Sequence, residues 1–157
     1  MKKFELTNEF ITNSYGVKLF RIKALIEFGN VKAGDLGGYI EKEENLSHMG
    51  DAWIYGDAQI SGNAQVFGDA QVFGNAWVFG DARVSGDKDY AYAHGFGSCN
   101  RTTTFFRLKD GDVGVRCGCF YGTLAQFRDK VCETHGETKK AQEYLMLADL
   151  MEIRFKN

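Results

Sequence analysis

The sequence predicts a mainly β fold: a short parallel β-helix of six-residue words, closed in front by a β cap and followed by a small α+β module. Three observations carry this. Gly-(Asp/Asn)-Ala recurs at residues 50–52, 56–58, 62–64, 68–70, 74–76 and 80–82 without a slip. A β-branched residue stands two positions after each alanine, at Ile54, Ile60, Val66, Val72, Val78 and Val84. On either side the period is lost, and strand-like stretches in front give way to strands and then helical spacing behind.

Residues 1–30 form the cap, because "KFEL" and "KLFRIKALIEF" read as strands around the turn "TNSYG". Residues 31–87 form the β-helix. Val31, Ile40 and Leu46 supply inward residues to an irregular leading coil, and His48 takes the inward slot six residues before Ile54. In each word a short strand ends in a tight turn, since Gly, Asp and Asn tolerate the positive φ that such turns demand. An α-helix is excluded because a period of six does not match 3.6 residues per turn and a glycine would recur about every 1.7 turns. Three words close a triangle of 18 residues.

That period stacks Trp53 and Tyr55 over Gln71 and Phe73, Gln59 and Ser61 over Trp77 and Phe79, and Gln65 and Phe67 over Arg83 and Ser85. So many outward aromatics must be covered. Flanking segments can cover them, or three copies can pack around a threefold axis as a homotrimer, with Trp53, Tyr55, Phe73, Trp77 and Phe79 at the interface. Residues 88–157 form the last module. "TTTFFRLKDGDVGVRCGCF" reads as two strands around an Asp-Gly-Asp turn. Thr123 caps a first helix bearing Leu124, Phe127 and Val131, and a second helix from about Thr138 carries Ala141, Leu145, Ala148 and Met151.

The words "VFGDAQ" and "VFGNAW" resemble the hexapeptide motif of left-handed β-helix proteins. The longer stretch "FRIKALIEFGNVKAGDLGGYIEKEENLSHMGDAWIYGDA" is similar to the entry segment of hexapeptide-repeat proteins of bacteria, prophages and phages, and "GCFYGTLAQFRDKVCETHGETKKAQEYL" to the module that follows their repeats. The resemblance implies a left-handed helix. It also implies a phage-type protein acting in the cytoplasm of a bacterial host, in a group labelled as transferases or given no activity.

Charge excludes one class of partner. The chain of 157 residues holds 19 basic and 21 acidic side chains with no basic stripe, which argues against long nucleic acid. No run is apolar enough for a membrane span or a signal peptide, so no membrane partner is expected and the expected location is cytoplasmic. Cys99, Cys117, Cys119 and Cys132 fit that setting as free thiols. They lack the Cys-x-x-Cys knuckles of a zinc site, and a column of Asp51, Asp69 and Asp87 offers too few oxygens for a cation, so no metal is expected.

"HGFGSCNRTTTFF" has the composition of an anion pocket. Gly95 and Gly97 open backbone amides, Ser98, Asn100, Thr102 and Thr103 supply polar groups, Arg101 a fork for phosphate or carboxylate, and His94 lies beside them. The similar phage proteins carry a like arrangement at this place. The plainer reading is a polar linker entering a strand. The ligand set expected is His94, Gly97, Ser98, Asn100, Arg101, Thr102 and Thr103. His48 and His135 read as structural.

Three functions follow. The leading one is a non-enzymatic protein that binds a small phosphorylated ligand, a nucleotide signal of bacterial defence, and sequesters it without a cofactor. The second is an acyltransferase with His94 as base, for which the sequence offers little groove. The third is a structural or interaction module that inhibits a host protein through its aromatic faces.

Overall fold

The structure, a computed structural model, describes residues 2–13, 15–97, 101–117 and 120–156, with Asp87 and Arg101 described by their backbones only. Strands β1 (Phe4–Thr12) and β2 (Lys18–Ala24) pair antiparallel. Asn13 shapes the turn between them, its Oδ1 accepting from the amides of Tyr15 (2.9 Å) and Val17 (3.0 Å). Strand β3 (Leu36–Ile40) joins β2 antiparallel and carries Gly37 and Gly38. Glycine is needed there for close approach, since a Cβ on Gly38 would lie 2.5 Å from Ile54 Cγ2 and 2.6 Å from the Ala58 carbonyl oxygen.

The six words yield β4 (Trp53–Ile54), β5 (Gln59–Ile60), β6 (Gln65–Val66), β7 (Gln71–Val72), β8 (Trp77–Val78) and β9 (Arg83–Val84). Their glycines, from Gly50 to Gly80, hold φ between +61° and +73°, which ends each strand after two residues. Ile54, Ile60, Val66, Val72, Val78 and Val84 are fully buried, and the alanines beside them close the same core. Strands 18 residues apart pair in parallel: β4 with β7, β5 with β8, and β6 with β9.

These ladders correct the expected architecture. The fold is mixed α/β with four separate sheets, none curled into a solenoid, and the left-handed parallel β-helix implied by the hexapeptide resemblance is overturned. The same finding removes the assignment to phage-type hexapeptide-repeat β-helix proteins. The physical reason lies in strand length and in the neighbours. Two-residue strands make ladders too short to run on by themselves. One ladder is annexed by the N-terminal strands into a five-stranded sheet of order β1-β2-β3-β5-β8, part antiparallel and part parallel, while the other two stay two-stranded.

The C-terminal part holds four described strands, β10 (Tyr90–Phe96), β11 (Arg101–Arg107), β12 (Val113–Cys117) and β13 (Phe120–Thr123), in one antiparallel sheet. That is two more than the sequence reading expects. Helix α1 (Leu124–His135) starts at a capping box in which Thr123 Oγ1 accepts from the Gln126 amide, and α2 (Lys139–Arg154) starts at Thr138. Among the described residues no helix is long and apolar enough to cross a membrane.

Strand β11 has two working faces, as the period of two requires. Thr104 and Phe106 turn to the repeats, where Phe106 joins the repeat core and Thr104 Oγ1 accepts from the Trp77 amide at 3.0 Å. Thr103 and Phe105 turn the other way, and Phe105 packs with Phe127, Val131, Tyr144 and Met151 under the helices.

The ladders end at a leading edge on the first rung and a trailing edge on the last, and parallel pairing leaves backbone groups of both kinds along each. At the leading edge carbonyls find side-chain donors. Lys3 Nζ donates to Ala52 O (2.7 Å) and Gly50 O (3.3 Å), and Asn45 Nδ2 to Ala64 O (2.9 Å) and Gly62 O (3.1 Å). At the trailing edge the partners are Thr104 and the Tyr90 hydroxyl, which accepts from Phe73 N (3.2 Å) and donates to Gln71 O (2.5 Å).

Candidate functional site

The candidate site is the open end of the β10–β11 hairpin. His94 stands opposite Thr102, and a bulge after it brings Phe96 opposite Arg101. Gly95 and Gly97 make this possible with φ of +100° and +80°. Gly97 also passes close to α2, because a Cβ there would collide with the Tyr144 hydroxyl.

His94 is exposed, and its Nδ1 shares a 2.7 Å hydrogen bond with Thr102 Oγ1. That bond fixes the ring and leaves Nε2 as the nitrogen a ligand would meet. The structure thus pairs His94 with Thr102, while Gly97 lies against Tyr144 of α2. Thr103 is not with them. It is buried on the helix side, where its Oγ1 donates to Cys117 Sγ (3.2 Å) and that thiol donates to the Tyr144 hydroxyl (3.6 Å). Ser98, Asn100 and the Arg101 side chain lie outside the described residues, as do Cys99 and Cys119.

The other histidines have structural surroundings. His48 stacks on Phe4 at 4.2 Å, accepts from the Lys3 amide through Nδ1 (3.1 Å) and meets Glu43 Oε1 through Nε2 (3.0 Å). His135 stacks on Tyr144 at 5.7 Å near the end of α1. Among the described residues no three of His, Cys, Asp and Glu come together as a metal site would need. Asp87, the last member of the aspartate column, is without a described side chain. Cys117 and Cys132 are free thiols.

The five aromatics assigned to a trimer interface divide in two. Trp53 is buried, its ring edge-on to Phe28 (5.3 Å) and Phe4 (6.4 Å) of the N-terminal part. Trp77 and Phe79 lie under Arg116 and Tyr15. Tyr55 and Phe73 stack on each other at 4.4 Å with Phe73 left at the surface.

Two groups escaped the sequence reading. Arg116 on β12, 3% exposed, sets its guanidinium over Trp77 (4.3 Å), Tyr15 (4.9 Å) and Phe79 (5.1 Å), joining the N-terminal turn, the repeats and the C-terminal sheet. No local motif marks it, because its three partners come from distant segments. The second group lines a cleft of about 320 Å³ beside the β11–β12 turn and includes Lys42, Asn63, Arg83 and Lys109. A larger cleft of about 660 Å³ lies by the leading edge, with Lys2, Glu43, His48, Gln65 and Phe67 among its walls. None of these clefts is lined by His94 or Thr102.

No protein-family model matches the chain, and no curated protein matches it.

Proposed function

We propose that the chain is a non-enzymatic binding protein for a small phosphorylated ligand of the nucleotide class, held at the bulged end of the β10–β11 hairpin. The observation that carries this is the exposed His94, locked by Thr102 beside two glycines in left-handed conformations. Open amides at such glycines and a fixed imidazole suit an anion. Arg101, whose backbone pairs opposite Phe96, is the proposed phosphate partner, since a guanidinium offers a fork of donors. Binding without turnover has an effect when the ligand is a signal, so nucleotide signals of bacterial defence are the ligands to try first.

The test is native mass spectrometry of the protein purified gently from a bacterial host, then mixed with nucleotides. The expected spectrum shows an adduct of nucleotide mass that stays intact over hours and is lost in Arg101→Ala. An adduct that is converted would mean an enzyme. Absence of any adduct would favour a protein-interaction module. The same spectrum reads the assembly, for which Tyr55 and Phe73 are the outward aromatics of the proposed homotrimer, and Phe73→Glu should reduce its mass.

A further inference from the structure

Three arginines meet carboxylates. Arg21 pairs with Glu9 (2.6 Å) and Asp57 (3.3 Å), Arg107 with Asp89 (3.0 Å), and Arg128 with Asp149 (2.8 Å) and Glu152 (2.9 Å). Arg83 does not. Its Nη1 donates to two carbonyls, Asn63 O (3.1 Å) and Ala82 O (3.0 Å). Lys42 Nζ reaches the same Asn63 from the other side, donating to Oδ1 at 3.0 Å. One neutral residue therefore draws two cations to itself. Lys109, on the turn after β11, lines the same cleft, and its backbone is anchored by its amide on Asp81 O (2.9 Å).

Among the described residues none of Lys42, Arg83 and Lys109 has a carboxylate within 4.0 Å. The three cations outnumber the carboxylates on the walls of the cleft, which leaves it net positive and suited to an anion. The cleft also holds Glu44, Asp81 and Gln65 on its walls, acceptors and an amide that suit hydroxyl groups. Its volume of about 320 Å³ is at the small end of ligand sites. A second cleft of about 340 Å³, walled by Leu108, Asp110 and Tyr121, shares Asp81 and Lys109 with it. A ligand larger than its anionic group would have room to continue there.

We propose that this cleft is a second binding site, for a hydroxyl-bearing phosphate ester such as a sugar phosphate. Lys42, Arg83 and Lys109 take the phosphate, and Glu44 and Asp81 accept from the hydroxyls. The site is separate from the hairpin end and stands without it.

Titration of the full-length protein with ribose 5-phosphate and with inorganic phosphate, followed by amide NMR shifts at low ionic strength, tests this. Saturable shifts are expected at Asn63, Gln65, Arg83 and Lys109. Affinity should fall about tenfold or more in Arg83→Gln and in Lys109→Gln, and it should be unchanged in Arg101→Ala. Lys109→Gln guards the test against misfolding, since that side chain is exposed and only its backbone is anchored. Tighter binding of ribose 5-phosphate than of phosphate is expected, and equal binding would overturn the hydroxyl half. An absence of cleft shifts up to about 10 mM ligand, a concentration at which even weak sites fill, would overturn the site itself. So would identical shifts in Lys109→Gln.

Discussion

The two edges of the repeat ladders are closed by different side chains. At the leading edge the Lys3 ammonium and the Asn45 amide donate to carbonyls; at the trailing edge the hydroxyls of Thr104 and Tyr90 accept from amides, and Tyr90 also donates to Gln71 O. Parallel pairing leaves both donors and acceptors along each edge, so the closing groups match it position by position. Exposed strand edges invite pairing with other chains, and side chains of the right polarity remove that invitation without adding another strand.

The largest effect should come from the residue that ties the two closing regions together. Arg116 reaches from the C-terminal sheet across Trp77 and Phe79 to Tyr15 at the N-terminal turn. Arg116→Ala removes three ring contacts and leaves a void, so about 3–5 kcal/mol of unfolding free energy should be lost in urea titrations. Arg116→Lys should recover only part, because an ammonium cannot stack its plane on the rings. A loss under about 1 kcal/mol would mean that the two regions are held independently.

The leading edge carries a pH signature. Burial pushes the Lys3 ammonium down from 10.5 to about 8, against the pull of Asp51. Between these values the unfolded chain binds more protons than the folded one, so stability rises as pH climbs from about 8 to 10.5. The gain is about 3 kcal/mol at most. Below pH 8 both states hold the proton and the slope vanishes. Comparing the wild type with Lys3→Met at pH 7.5 and pH 10 isolates this contribution from tyrosine and thiol titration. Equal slopes in the two proteins would contradict it.

Donor polarity can be tested at Asn45, which is fully buried. Asn45→Ala strands two carbonyls and should cost about 2 kcal/mol. Asn45→Asp puts an acceptor against acceptors and should cost more by urea titration at neutral pH. If aspartate were tolerated better than alanine, the carbonyl account of the leading edge would fail.

Much of the local order was legible from periods and caps. The phase of Ile54 to Val84 placed the core, the Asp-Gly-Asp turn placed the β11–β12 hairpin, and Thr123 marked the start of α1. The global form was not. Period six fixes which residues point inward, but it cannot say that β5 and β8 will be drawn into a sheet with the N-terminal strands, and the solenoid expectation failed on that point. At the site, the glycines and the His94–Thr102 pair were visible as composition. Thr103 was miscounted among ligand groups because adjacent strand residues face opposite ways, which composition ignores. Lys3 and Arg116 gave no signal at all, since a buried cation is recognised only by carbonyls or rings that arrive from elsewhere in the chain.

The smallest expected effect lies at the trailing edge. Thr104 is buried, and its Oγ1 accepts from Trp77 N on the last rung. Thr104→Val keeps the shape and the β-branch while removing that acceptor, so the cost should be that of one unpartnered amide, about 1–2 kcal/mol. Hydrogen exchange separates this from a general loss of packing: the Trp77 amide should lose protection while Ile60 and Val78 amides within the ladder keep theirs. Thr104→Ser restores the hydroxyl without the methyl and should restore protection of Trp77 even if some stability is lost. Failure of serine to do so would mean that the methyl group, and not the acceptor, closes this edge.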